Sequence, residues 1–242
     1  MVDITCVMVT GKTVNRYPMA RCAVGAFLAQ QLLGVTAKLL IVNDNPIPLL
    51  EPNEFADQNV EELHVAEQGM TLGELRNLAM DTADSPYMMQ WDDDDHATPH
   101  RIAWQRGQTN FVTQEVTIFR REVHINLFDG SAFVNNGKSS RVGGFAGTML
   151  WPLDGIRFPA LGKHEDTEFL LKYKNQGRLR VLNNDPALYC RFWHGNNTWS
   201  KKHVLKRKPG SRDLDGTEQA VVDLLMKEVY DGVAEACFPE GR

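Results

Sequence analysis

The chain is poor in the features that would cross-link it or seat it in a membrane. Only four cysteines occur in 242 residues, Cys6, Cys22, Cys190 and Cys237, with no C-x-x-C pair and no metal-type spacing. That scatter excludes a disulfide framework and a thiolate metal site, and it predicts free thiols in a reducing, cytoplasmic setting. A bilayer span needs ~20 consecutive apolar residues. The most apolar long region, residues 19–42, is broken by Arg21, Gln30, Gln31 and Lys38, so no span is expected. No basic segment leads into an apolar one at the N-terminus, so no secretory signal is expected either. Excess positive charge is also missing: 26 Lys and Arg face 31 Asp and Glu, a net charge of -5. The molecule as a whole therefore has no electrostatic pull toward nucleic acid or an anionic membrane. Internal repeats and low-complexity tracts are absent. What is there, 43% hydrophobic and 24% charged, is the composition of a globular chain.

Its first third alternates between two periodicities. ITCVMVT, residues 4–10, is a β-branched run suited to a strand buried on both faces. YPMARCAVGAFLAQQLL, residues 17–33, spaces its apolar residues as a helix does, with Pro18 in the first turn and Gly34 as the stop. AKLLIVND, residues 37–44, is a second buried strand that ends in Asn43 and Asp44. Strand, helix and strand in this order imply a right-handed crossover and a parallel sheet. ELHVAE, residues 62–67, suggests a third strand. Thr71 and Glu74 form a capping box that opens a helix over TLGELRNLAMDTA, and YMMQW, residues 87–91, makes the next strand.

From 109 to 151 the pattern changes to short alternating segments, FVTQEVTIF, EVHINLF, SAFVNN and FAGTMLW, which predict antiparallel strands or hairpins laid against the parallel half. EDTEFLLKYKN, residues 165–175, reads as a helix ending at Gly177. KKHVLKRKPGSRDLDG, residues 201–216, reads as a mobile basic connector. A last helix over about 217–235 would carry Val221, Leu224, Leu225 and Val229 on one stripe. The expected fold class is α/β, with a mixed, mainly parallel central sheet flanked by helices and a small antiparallel part. The expected division is one domain over 1–205, its halves meeting at 108/109, followed by the connector and amphipathic helix of 206–242.

The chemistry concentrates in YMMQWDDDDHATPHRIAWQ, where Asp92, Asp93, Asp94 and Asp95 follow an apolar strand. Open α/β sheets bind ligands at the carboxyl ends of their strands, and both Asp44 and the aspartate run occupy such ends. Alternate residues of an extended chain point the same way, so Asp92 and Asp94 can converge while Asp93 faces elsewhere. Hard divalent cations prefer carboxylate oxygens, and Mg²⁺ is usually held by one or two carboxylates plus substrate phosphates. A D-x-D at a strand end therefore suits a metal diphosphate, although a solvated acidic loop would show the same letters. Asp95 would suit the cap of the helix that follows. The run lacks the Gly and later Glu of an EF-hand calcium loop.

Five segments in order carry a family likeness: FLAQQ, LLIVND, LGELRNLA, YMMQWDDDD and HEDTEFL. Across roughly residues 4–200 the chain resembles the family 2 glycosyltransferases of the GT-A fold. Two departures stand out. VNDNP replaces the usual VDDGS, so Asn43 takes the place of the first acid, and the Q-x-x-R-W motif of processive synthases is missing, its region reading YCRFWHGNNTW.

The resemblance implies a non-processive, inverting transfer of one sugar from a nucleoside-diphosphate sugar, UDP-linked in most relatives, to a hydroxyl acceptor. Asp44, Thr10 and Gly11 would lie beside the nucleotide, and Arg76 would contact it. Asp92 and Asp93 would stand with the donor, Asp92 near the ribose. Asp94, with Asp92 and His194, would hold Mn²⁺ or Mg²⁺. Asp166 would be the general base, with Glu165 as the neighbouring candidate, and Asn77 would brace its own helix against the sheet. Trp151, Trp193 and Trp199 are candidates for stacking on sugar rings. The basic 201–208 stretch has three readings: a connector, a flap over the donor, or a dock for an anionic acceptor. The acceptor itself is open among a glycan, a lipid-linked sugar, a protein and a hydroxylated DNA base. Two other classes stay in view. A sugar-1-phosphate nucleotidyltransferase would need a glycine-rich basic loop, for which VTGKTVNRYP offers only Gly11, Lys12 and Arg16. A non-catalytic nucleotide- or carbohydrate-binding module would not need Asp94 and Asp166 intact.

Overall fold

A computed structural model describes residues 3–11, 14–55, 57–65 and 69–237 of the chain. Strands β1 (Ile4–Thr10), β2 (Ala37–Asn43), β3 (Val60–His64) and β4 (Tyr87–Gln90) run parallel to their neighbours, with β1 between β2 and β4. Beyond β4 come β9 (Phe145–Pro152), β6 (Val116–Phe119) and β10 (Leu179–Leu182). β9 is antiparallel to both β4 and β6, and β10 is parallel to β6, giving a seven-stranded mixed sheet in the order β10-β6-β9-β4-β1-β2-β3.

Both faces of this sheet are covered, which is why its central strands are apolar almost throughout. Ile4, Cys6 and Met8 of β1 lie on the side of helices α1 (Tyr17–Leu28) and α3 (Arg101–Gln108), while Val7 faces the other way, toward α2 (Leu72–Thr82) and α4 (Glu165–Asn175). A second sheet, in the order β5-β11-β7-β8, joins β5 (Asp95–Ala97), β11 (Tyr189–Trp193), β7 (Arg121–Asn126) and β8 (Ala132–Asn136). Its apolar side packs against Met19 and the C-terminal residues Val222, Leu225, Tyr230, Val233 and Cys237. The cysteines are free thiols, and no helix among the described residues is long and apolar enough to cross a membrane.

Several expectations need correction. α1 ends at Leu28 rather than Leu33, because Gln30 leaves the helix: its amide donates to Ala26 O and Thr98 O and accepts from Ile102 N. The third strand stops at His64, and Ala66 and Glu67 of the expected segment lie outside the described residues. The 109–151 segments are not one antiparallel appendage. β6 and β9 belong to the main sheet, β7 and β8 form a hairpin in the second, and 111–114 is a turn.

The basic stretch is hydrogen-bonded down rather than loose. It contains α5 (Lys201–Val204), and Arg212 forms a β-bridge with Val134 and an ion pair with Glu218. The last helix is broken into α6 (Gly216–Leu224), a π-helical turn (Leu225–Val229) and α7 (Val233–Cys237). Val222 and Leu225 are buried while Leu224 is 60% exposed, so the buried stripe is not the one expected.

Candidate active site

The aspartate run is the hinge between the two sheets. Trp91 N still bonds Val7 O of the first sheet, Asp93 and Asp94 form a turn, and Asp95 already pairs with Arg191 in the second. A cavity of about 260 Å³ opens over this turn. On its wall are Gly11 after β1, Asp44 after β2, Arg76 of α2, the turn residues Asp92, Asp93 and Asp94, and Glu165 and Asp166 at the start of α4. Two expected residues are not on the wall. Thr10 is fully buried, its carbonyl accepting from Asp44 N, and His194 is fully buried behind Asp94.

Asp93 does not face away from its neighbours as strand alternation predicts, because the chain turns there. Arg16 reaches across from the turn before α1, placing Nη2 2.5 Å from Asp93 Oδ1 and 2.7 Å from Asp94 Oδ2. Asp94 Oδ2 also meets His194 Nε2 at 3.0 Å. Asp92 accepts from Gln90 Nε2 and from the Tyr189 hydroxyl. Asp95 does not cap a helix: it accepts from the Tyr189 hydroxyl at 2.8 Å and from Phe192 N, and so ties the turn to β11.

Four carboxylates crowded at one turn cannot all ionise alike. Burial works against the charge of Asp94, but Arg16 and His194 outweigh it and hold that carboxyl below its usual range. Burial pushes Asp93 up to about 6 despite Arg16, and burial together with the Asp94 charge raises Asp95 well above an ordinary aspartate. Asp94 is thus the carboxyl of the turn that keeps its charge to the lowest pH.

The LGELRNLA helix positions the other acids. At Gly73 a Cβ would stand 1.9 Å from Pro159 O, so only glycine lets α2 approach the loop that leads to α4. Asn77 clasps the backbone of Phe158 with both ends of its amide, bracing α2 against that loop rather than against the sheet. Arg76 completes the tie with a buried ion pair to Glu165, and it stands 3.8 Å from Asp92. Glu165 is therefore committed to Arg76, while Asp166, beside it on the cavity wall, is half-buried, with its Oδ1 accepting from Thr167 N and no ion pair among the described residues to hold it. His164, just before them, has φ 65, a left-handed conformation that a non-glycine residue adopts at a cost of roughly 1–3 kcal/mol.

Of the tryptophans, Trp151 is core: it is 1% exposed and packs edge-on against Phe158 and Phe169. Trp199 does reach the cavity, stacked on His203 at 4.6 Å with the edge of His164 at 4.8 Å. Sequence reasoning assigned no role to Gly147, Tyr189 or Arg191. A Cβ at Gly147 would stand 3.0 Å from Asp92 Oδ2, so its lack of a side chain leaves room beside that acid. Tyr189 and Arg191 lie two apart on β11, and that alternation in YCRFW is the signal that marks them as facing one side. Arg16 carried no local signal for its partners.

The donor set suits a divalent cation that favours oxygen and imidazole ligands. Two adjacent ligands of an octahedral ion with ~2.1 Å bonds lie about 3.0 Å apart, which is the separation of Asp94 Oδ2 and His194 Nε2, 3.0 Å. Among the described residues no group of three or more His, Cys, Asp or Glu side chains is gathered to hold an ion alone. Phosphate oxygens and water would have to complete the shell, the usual arrangement for Mg²⁺.

No protein-family profile matches the chain, and no curated protein matches it. Solved structures do. The crystal structure of S. aureus TarS aligns with a TM-score of 0.63 at 14% identity, over 84% of this chain and 41% of that one. TarS 1-349 in complex with UDP gives a TM-score of 0.63 at 14% identity, over 84% of this chain and 68% of that one. TarS 1-349 in complex with UDP-GlcNAc gives 0.62 at 13% identity, over 100% and 74%. The chain thus spans less than half the length of the longer TarS chain, and at these identities the likeness is one of fold. With its seven-stranded, mostly parallel sheet between helices, this chain has the GT-A fold.

Proposed function

We propose that the chain moves a single sugar from a nucleoside-diphosphate sugar, with UDP as the nucleotide, to a hydroxyl acceptor, inverting the anomeric carbon with the help of Mn²⁺ or Mg²⁺. One observation carries this reading. Asp44, Arg76, Asp94 and Asp166, from four separate elements, line one cavity of a fold that in TarS has been crystallised with UDP and UDP-GlcNAc.

Asp44 and Gly11, at the ends of β2 and β1, form the nucleotide end of the cavity. Asp94 and His194, with Asp92 alongside, would hold the cation, which when bound offsets negative charge on the diphosphate leaving group. Arg76 does two things: it fixes Glu165, and it presents a guanidinium to the donor side. Asp166 takes the acceptor hydroxyl proton as that oxygen forms its bond to the anomeric carbon. The bond from that carbon to the diphosphate oxygen breaks on the opposite side, its electron pair leaving with the nucleoside diphosphate. A base so placed contributes ~10²–10⁴-fold. Trp199 lines the same cavity, its ring stacked on His203 with Lys163 Nζ 5.5 Å from its centroid.

A panel of nucleotide sugars with Mn²⁺, assayed for release of nucleoside diphosphate, tests the reaction. Asp166→Asn is expected to lose ~10²–10⁴-fold in turnover while UDP affinity by calorimetry changes little. Asp94→Asn is expected to lose metal-dependent UDP binding and turnover together. Release of pyrophosphate would move the chain to the nucleotidyltransferases, and UDP-sugar binding with neither transfer nor hydrolysis would make it a binding module. The Lys12 that bears on the nucleotidyltransferase reading lies outside the described residues.

A further inference from the structure

The cation-binding oxygen of the turn already has a cation on it. Asp94 Oδ2 is ion-paired with Arg16 Nη2 at 2.7 Å and meets His194 Nε2 at 3.0 Å. Both contacts fall on Oδ2, so a metal ion taken by this carboxylate would come close to the Arg16 guanidinium. Arg16 is well anchored for the purpose: its side chain is 12% exposed, it sits at the end of the Val14–Arg16 turn next to α1, and the same Nη2 bonds Asp93. Asp93 is 4% exposed and has its Oδ1 engaged by Arg16. Its place in the aspartate run is thus explained by the arginine that it helps to hold.

We propose that Arg16 is a positioning residue that serves as the built-in counter-cation of the aspartate turn and makes metal binding depend on the nucleotide diphosphate. The inference rests on the proposed function only in taking a divalent cation and a diphosphate as the ligands of this cavity. A divalent ion arriving alone must either displace Arg16 from Oδ2, which leaves a buried guanidinium short of a partner, or bind beside it, which brings two cations close together. A diphosphate changes that balance. It adds anionic oxygens to the same wall, and a guanidinium released from Asp94 can fork onto them as it does onto carboxylates. Metal and nucleotide then favour each other's binding. Such coupling is reciprocal and typically amounts to about 5–150-fold.

The experiment uses the full chain and reads binding rather than turnover. Mn²⁺ affinity is measured by electron paramagnetic resonance or calorimetry, alone and with saturating UDP, and UDP affinity with and without Mn²⁺. The natural chain is expected to bind Mn²⁺ weakly alone and about 5–150-fold more tightly with UDP. Arg16→Gln is expected to bind Mn²⁺ alone more tightly than the natural chain by a factor in the same range of roughly 5–150, with a correspondingly smaller response to UDP. Arg16→Lys keeps a positive charge, and its Mn²⁺ affinity alone should stay close to the natural value.

If Arg16→Gln, with an unchanged circular dichroism spectrum, binds Mn²⁺ alone no better than the natural chain, the proposal is overturned. It is also overturned, whatever the variants do, if the natural chain binds both ligands with no effect of one on the other. That result would leave the sugar-transfer reading standing. No binding of UDP under any condition would instead remove that reading and this inference with it.

Discussion

The two sides of the cavity are built by different means. On the β1–β4 side, cavity-lining groups sit where strands end: Gly11 follows β1, Asp44 follows β2 and the aspartate turn follows β4, so backbone topology alone brings them together. On the far side, Asp166 starts a helix whose approach depends on side chains, namely the glycine contact at Gly73, the Asn77 clasp and the Arg76–Glu165 pair. A parallel sheet supplies position without specific partners, because every strand points its carboxyl end the same way. An acid contributed by a later element needs a dedicated tie, and buried charges make such a tie directional and sensitive to loss.

The strongest way to break this contrast is to cut the tie. Arg76→Met leaves Glu165 buried without its cation and is expected to cost ~3–5 kcal/mol of stability. Denaturant unfolding would measure it, and a change of well under 1 kcal/mol would mean that the far side does not depend on the pair. A comparison at the second sheet sharpens the point on packing. Leu225→Ala removes a buried side chain and should cost ~2–5 kcal/mol, whereas Leu224→Ala, its exposed neighbour, should stay within about 0.5 kcal/mol. Thermal and urea unfolding of the two variants, side by side, reads the difference.

The smallest expected effect is one of pH. Burial lowers the His96 imidazole to about 4, from an ordinary value near 6.5. Above 6.5 the ring is neutral in both folded and unfolded chains and costs nothing. As the pH falls from 6.5 toward 4, the unfolded chain takes up a proton that the folded one refuses, so stability declines across that window. His96→Gln should show a shallower decline there than the natural chain, and identical slopes would remove His96 from the account.

Much of the parallel half was legible because its signals are local. The capping box of Thr71 and Glu74 forms as its spacing predicts, and β1, β2 and β4 fall within a residue of their apolar runs. The GT-A fold expected from five ordered motifs is the fold found. Where expectation failed, a distant contact decided. Gln30 ends α1 early to hold Thr98 and Ile102, Trp151 is taken into the core by Phe158 and Phe169, and Asp95 turns to Tyr189 rather than to a helix end. The four short segments after residue 109 all contain strands, but their alternation cannot say which sheet each one joins, since a period of two is common to every strand.

The amino-acid sequence by itself determined which acids end which strands, because hydrophobic period and caps act over a few residues. Only the tertiary structure decided which charge answers which. Arg16 meets Asp93 across 77 positions of the chain, and Arg76 meets Glu165 across 89. Electrostatic pairing depends on separation in space and on burial, and neither is written in the spacing of letters.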